Sequence, residues 1–205
     1  MLRVATCWLS ILLVTVRAQV FKFGTCPDVP TLPYFNMNRF LGEWYVIQRF
    51  QSNNRCIKQN ISKTDDYPYK ITYKLSETRK STTLSFLGLE QMIEQSSNIH
   101  FPYSNISSKM EVNLPLSVWG ASNYWVIMTD YTMYAAVWSC RNMFFGQVQS
   151  ADILSRTPRL DRLIIDKIRR RFEGYRINVN HFSVIDHSEC PEAERRRSSF
   201  FVLLV

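Results

Sequence analysis

The side chains best equipped for covalent chemistry are five cysteines: Cys7, Cys26, Cys56, Cys140 and Cys190. None of their spacings resembles the short Cys-x-x-Cys steps of a zinc site, so no metal is expected. The three histidines, His100, His181 and His187, stand apart from one another. There is no His-Glu-x-x-His, no Gly-x-Ser-x-Gly and no glycine-rich phosphate loop. What remains is the pairing of thiols by oxidation. No catalytic residue and no obligatory cofactor is expected, and the chain does not read as an enzyme.

The N-terminus fixes the compartment. Arg3 precedes an apolar stretch from Trp8 to Val16 that ends in Val16-Arg17-Ala18, the pattern of a secretory signal peptide over residues 1–18. The stretch is shorter than the ~20 residues that span a bilayer. Cys7 leaves with the leader, and an even set of four cysteines remains in an oxidising compartment. Two disulfides are therefore expected in a secreted, extracellular protein, with three pairings open. The formal net charge of +8 falls to about +6 without Arg3 and Arg17, too diffuse to call for nucleic acid.

The elements that must position these residues are mostly strands. β-rich runs separated by polar punctuation are expected at Glu43–Phe50, Cys56–Thr64, Tyr69–Glu77, Thr82–Leu89, Lys109–Leu114, Tyr124–Thr129, Met133–Cys140 and Phe144–Leu154. Eight such runs favour an all-β, antiparallel up-and-down barrel. The period then changes: Leu160, Leu163, Ile164, Ile168 and Phe172 share one face of a helix, with Thr157 as cap, Pro158 in the first turn and Gly174 at the end. That C-terminal helix must lay its stripe on the outside of the barrel, leaving Arg159, Arg162, Arg169 and Arg170 largely in water. One domain over residues 19–191 is expected, followed by a basic and apolar tail over 192–205, where Arg195-Arg196-Arg197 leads into Phe200–Val205.

Three motifs stand in order: Gly42-Glu43-Trp44-Tyr45, Thr129-Asp130-Tyr131, and Arg156 directly before the helix. With Gly24-Thr25-Cys26-Pro27, Arg55-Cys56-Ile57, Tyr124-Trp125, Tyr134-Ala135 and Cys190-Pro191, the chain from Gln19 to Pro191 resembles the lipocalin family, in its apolipoprotein D and Lazarillo branch. The resemblance implies that Trp44 lies across a closed barrel end with Arg156 on its indole, and that Gly42, Thr129, Asp130 and Tyr131 complete that end. It also implies the pairings Cys26–Cys140 and Cys56–Cys190. Sequons at Asn60-Ile61-Ser62 and Asn105-Ile106-Ser107 are expected to carry N-linked glycans.

An eight-stranded barrel has room for side chains or one small ligand. The lining is expected from Phe50, Tyr73, Phe86, Trp125, Ile127, Tyr134, Trp138 and Phe145, with Tyr134, Gln147 and Asp152 to orient a polar head. A buried Asp152 carboxylate would need a partner. The mouth is expected from Phe35–Asn38, Ser52–Arg55, Gln95–Asn105 and Ser117–Asn123, with Phe101, Tyr103 and Trp119 nearby.

The expected function is carriage of a small hydrophobic ligand such as a fatty acid, retinoid, sterol or bilin. By resemblance it extends to lipid transport with a role in the oxidative-stress response and to association with a membrane or lipoprotein surface. Trp119 and Asp152 depart from apolipoprotein D, so neither its peroxide chemistry nor its ligand is carried over unchanged. The alternatives are a bilin or pheromone carrier and a glycolipid-anchored, Lazarillo-like protein of cell recognition or neural development. The end of the tail is shorter than the ~10–20 apolar residues of an anchor signal, which favours secretion.

Overall fold

The computed structural model describes residues 19–66, 70–81, 91–113 and 121–190. The expected leader (1–18), the Thr82–Leu89 run with Phe86, the loop residue Trp119 and the tail (192–205) lie outside the described residues.

Each of eight strands pairs antiparallel with the next in sequence: β2 (Gly42–Phe50), β3 (Arg55–Asp66), β4 (Lys70–Ser81), β5 (Gln91–His100), β6 (Lys109–Val112), β7 (Ser122–Thr129), β8 (Tyr134–Met143) and β9 (Gly146–Ser155). β9 returns to pair with β2, through Val46 opposite Leu154 and Arg49 opposite Asp152, which closes the barrel. The expected up-and-down architecture is the one found.

Two short strands extend it. β1 (Val20–Phe23) pairs with the start of β9, and β10 (Phe182–Val184) pairs with the end of β2. Neither was visible as a periodic run. A four-residue helix, α1 (Met37–Phe40), precedes β2, with Asn36 accepting from the Arg39 amide. The long helix, α2 (Arg162–Gly174), lies outside the barrel wall.

One strand assignment is corrected. Gln95–Asn105 was expected to be a mouth loop, yet β5 occupies Gln91–His100, with Tyr73 opposite Ile99 and Glu77 opposite Gln95. Its sequence, Gln-Met-Ile-Glu-Gln-Ser-Ser-Asn-Ile-His, is polar on both faces and hides the period-two pattern. The helix start is also corrected. Asp161, not Thr157, caps α2 by accepting from the Leu163 amide at 2.7 Å. The Thr157 hydroxyl instead donates to the Arg159 carbonyl at 2.6 Å, so Thr157 and Pro158 belong to the turn before the helix.

Two apolar clusters meet on opposite faces of the same strands. The inner one fills the closed half of the barrel with Trp44, Val46, Ile57, Ile61, Leu75, Ile99, Met110, Val112, Val126, Val137 and Leu154. The outer one lies under α2 and the C-terminal segment, where Ile168 and Phe172 press on Phe50, Trp138 and Ile153. Leu163 is not part of this stripe and is exposed, whereas Ile164 and Ile165 pack against the cluster. Arg169 is partly buried, its guanidinium donating to the Val179 carbonyl at 2.9 Å.

Candidate functional site

The closed end is built from backbone carbonyls that converge on one cation. Arg156 donates to the carbonyls of Tyr131 (3.1 Å), Glu43 (2.8 Å), Leu41 (2.9 Å) and Arg39 (3.3 Å). Its guanidinium carbon sits 3.6 Å from the centroid of the Trp44 ring. The indole N–H donates to the Phe40 carbonyl, so this buried ring leaves no polar atom unsatisfied. Gly42 has φ +95°, and a Cβ there would lie 3.4 Å from Arg156 Nη1. It is the positive φ, which side chains rarely adopt, that calls for glycine here.

The β7–β8 turn is held by its own side chains. Asp130 Oδ1 accepts from the amides of Thr132, Met133 and Tyr134. Thr129 Oγ1 accepts from the Tyr131 amide and donates to the Tyr134 carbonyl. Tyr131, at φ 69°, stacks on Phe35, and its hydroxyl accepts from the Asn36 amide. Phe35–Asn38 therefore lies at the closed end and not at the mouth. Phe101 and Tyr103 belong there too, because they follow β5 at the end where Phe101 meets Tyr73 and Ser107 donates to the Phe35 carbonyl. The opposite end opens between β2 and β3, at residues 51–54, and at the β8–β9 turn.

The inner wall follows strand alternation except where a bulge intervenes. In β2 the register shifts between Val46 and Gln48. Trp44 and Val46 face inward, but after the extra residue it is Arg49 that faces inward and Phe50 outward. Phe50 accordingly packs on Trp138, His181 and Phe182 in the outer cluster.

The expected lining is corrected in the same terms. Ile127, Tyr134 and Trp138 belong to the outer cluster, and Trp125 packs against it. Phe145 is 84% exposed at the β8–β9 turn. Gln147 is buried on the outer face, where its amide donates to the Thr25 carbonyl and holds the N-terminal segment. Of the expected set, the described inner wall takes Tyr73 and Asp152.

Asp152 enters a network that spans the lumen at mid-depth. Arg49 Nε and Nη2 donate to Asp152 Oδ1 and Oδ2, both at 2.7 Å. Its Nη1 and Nη2 donate to Glu77 Oε1 and Oε2 at 2.9 and 2.7 Å. Gln59 donates to both carboxylates and accepts from the Tyr124 hydroxyl at 2.7 Å. Arg79 Nη1 adds a contact to Glu77 at 3.1 Å. Burial alone would push the Glu77 carboxyl up. The Arg49 charge and hydrogen bonds, with Gln59 and Arg79, outweigh it and hold it at about 2. Burial pushes the Tyr124 hydroxyl well above its ordinary range, so it stays protonated as a donor.

This network is a floor. Below it the lumen is packed with the inner cluster. Above it, β8 and β9 turn Ser139, Arg141, Met143, Val148 and Ser150 inward, and with Ser122 and Gln19 they line a cleft of about 60 Å3. Val20 opposite Gln149 and Phe23 opposite Gly146 set the register of β1. Phe21 and Phe23 then share the inward face with Val148, and they remain 54% and 78% exposed. Phe21 lies over Gly146, where a Cβ would come within 2.6 Å of its ring. Arg49, Gln59, Glu77, Phe21 and Phe23 were all missed in the sequence. Placing β1 on β9 would have found the two phenylalanines, and locating the bulge in β2 would have found Arg49.

The four cysteines are joined as Cys26–Cys140 and Cys56–Cys190. Asn60 and Asn105 are both exposed, Asn60 on the outer face of β3. Among the described residues no His, Cys, Asp and Glu group is arranged to hold a metal ion, and no helix is long and apolar enough to cross a membrane.

Comparison with known proteins agrees with this geometry. The model of the lipocalin / cytosolic fatty-acid binding protein family matches residues 41–189. Apolipoprotein D of Rattus norvegicus is 31% identical over 186 residues, covering 88% of this chain and 92% of that protein. The Lazarillo protein of Schistocerca americana is 22% identical, covering 90% and 86%. Among solved structures, lobster apocrustacyanin A1 superimposes with a TM-score of 0.66 at 18% identity over 86% of this chain and 97% of that one. Insecticyanin from the tobacco hornworm Manduca sexta gives 0.65 at 20% identity, over 83% and 90%.

Proposed function

This chain belongs to the lipocalin / cytosolic fatty-acid binding protein family, and on that premise we propose that it is an extracellular carrier of one small hydrophobic or amphipathic molecule held in the upper lumen. The observation that carries this reading is the pair Phe21 and Phe23, large aromatic side chains left exposed on the inward face above a polar floor. Concave apolar walls with a few placed polar groups are the usual form of a small-molecule site. Burial of the ligand at ~25 cal/mol per Å2 of apolar surface supplies the affinity. Two disulfides that tie both termini to the barrel fit an oxidising, extracellular setting, in line with a leader over residues 1–18. The exposed Asn60 and Asn105 side chains suit glycan attachment there.

Native mass spectrometry of the secreted protein, after removal of glycans, tests this. A retained lipid-sized mass, loss of residues 1–18 and no free thiol are expected. A chain that neither retains nor takes up fatty acids, retinoids, sterols or bilins overturns the reading. Visible absorbance of the same sample separates a bilin from a colourless lipid. Phe144 and Phe145, 99% and 84% exposed at the mouth turn, support a second role in touching a lipid surface.

A further inference from the structure

Half of the formal net charge of +8 gathers on α2 and the residues beside it. Between Arg159 and Arg176 stand seven cations, six of them arginine, against Asp161, Asp166 and Glu173, which leaves +4. None of these ten side chains joins an ion pair among the described residues. The helix that carries them is held rigidly. Ile168 and Phe172 are buried against the barrel wall, and Asp161 caps the first turn.

The helical period divides the outer face into two flanks. On one, Arg162, Asp166, Arg169 and Glu173 mix both signs. On the other, Leu163, Lys167, Arg170 and Arg171 carry three positive charges and no carboxylate. Lys167 Nζ donates to the Tyr134 hydroxyl at 3.2 Å, and the Arg171 guanidinium carbon lies 5.2 Å from the Tyr175 ring centroid. Arg170 is exposed between them. Like charges three and four residues apart disfavour a helix, and an anion laid along them relieves the repulsion. The helix dipole accounts for cations in the last turn alone, not for Lys167, Arg162 or Arg159.

The run Lys167-Ile168-Arg169-Arg170-Arg171 is of the kind that binds nucleic acid or heparin. Nucleic acid does not suit an extracellular carrier. A membrane-binding face needs several apolar side chains to insert, and this flank offers Leu163 alone, 77% exposed. Arginine forks match the oxygens of a polyanion in pairs.

We propose that the Leu163–Lys167–Arg170–Arg171 flank of α2 is a docking surface for a sulfated polysaccharide of the heparin type, whose sulfates accept hydrogen bonds from these cations. The partner's compartment comes from the carrier reading, and the surface is independent of what the lumen holds.

The test is fluorescence anisotropy of a labelled heparin octasaccharide with the full secreted protein at about 0.15 M salt. Saturable binding is expected, weakening as salt rises, and a desulfated octasaccharide should not bind. Arg170→Gln with Arg171→Gln should weaken binding about tenfold. Lys22→Gln with Lys74→Gln removes the same charge from exposed sites on β1 and β4 and should change it less than about twofold. Equal losses in the two double variants, with circular dichroism unchanged, show a response to net charge and overturn the assignment to α2. Absence of binding, or equal binding of sulfated and desulfated chains to the unaltered protein, overturns the sulfated partner and needs no variant to fold. Flotation with phosphatidylserine-containing vesicles tests the other surface: recovery with vesicles that Arg170→Gln with Arg171→Gln abolishes, without octasaccharide binding, makes this a membrane site and overturns the proposal. None of these outcomes depends on whether the lumen takes up a lipid, so the carrier reading stands or falls separately.

Discussion

Arg49 and Asp152 meet through two parallel hydrogen bonds of 2.7 Å inside the barrel, and they do so because the register shift between Val46 and Gln48 turns Arg49 to the inner face. A one-residue bulge thus decides which side chain can neutralise a buried carboxylate. Removing one partner leaves the other charged in a low-dielectric site, so Asp152→Ala should destabilise the fold by about 3–5 kcal/mol. Arg49→Met together with Asp152→Leu and Glu77→Leu replaces the network with apolar volume and should cost much less. Urea unfolding followed by tryptophan fluorescence measures both. Equal losses in the single and triple variants would show that packing, not charge, sets the stability of the floor.

Acid sensitivity follows from the same groups. Glu77 is held at about 2, and Asp186 at about 2 by hydrogen bonds from the Ser188 side chain and amide and by Arg55. Each folded value is depressed, so its contribution is complete above the unfolded value and is lost as pH falls towards about 2. For the buried Glu77 this amounts to about 3 kcal/mol. Burial likewise lowers His187, whose Nε2 lies 2.8 Å from the Val46 carbonyl. Its contribution is present above the unfolded value of about 6.5 and begins to fall away below it. Thermal melts from neutral to strongly acidic pH should show a shallow loss near the histidine range and a steeper one below about pH 4.5. Glu77→Gln should flatten the steeper part and His187→Asn the shallower.

The closed end and the lumen were unequally legible in the sequence. Trp44, Arg156 and the cysteines announce themselves because rare residue types in fixed order carry the signal. Inward and outward faces do not, since a period-two pattern fixes only relative parity and a bulge reverses it without any change in composition. Trp138, Tyr134 and Phe50 read as lining in the sequence because they are aromatic on a strand. They face α2, whose own stripe needed a partner of that size. β5 is hidden for the converse reason: Gln95 and Ser97 put polar groups on its inner face between Ile93 and Ile99, so that face has no apolar run to detect.

The Arg156–Trp44 contact is expected to depend on the shape of the guanidinium and not on its charge alone. Four carbonyls accept from Arg156, whose guanidinium carbon lies 3.6 Å from the centroid of the Trp44 ring. A lysine offers one compact head and cannot reach all of them. Arg156→Lys should lose about 2 kcal/mol, most of the loss seen for Arg156→Ala, as judged from chemical denaturation. Full rescue by lysine would mean that charge over the ring is sufficient.

The two disulfides close loops between positions 114 and 134 residues apart, so each restricts the unfolded chain by roughly 4–5 kcal/mol in the chain-entropy model. They guard different parts of the molecule. Cys190 ties the segment after β10 to β3, where the Arg55 guanidinium also meets Asp186 at 2.7 Å. Cys26 ties β1 and its phenylalanines to β8 beside the mouth. Replacing Cys56 and Cys190 by serine should expose the C-terminal segment to proteolysis while ligand affinity changes little. Replacing Cys26 and Cys140 should weaken ligand binding as well, because Phe21 and Phe23 lose the anchor that fixes their strand. Limited proteolysis and ligand titration on the two variants separate these outcomes, and equal ligand affinity in both would argue against a part for β1 in the binding wall.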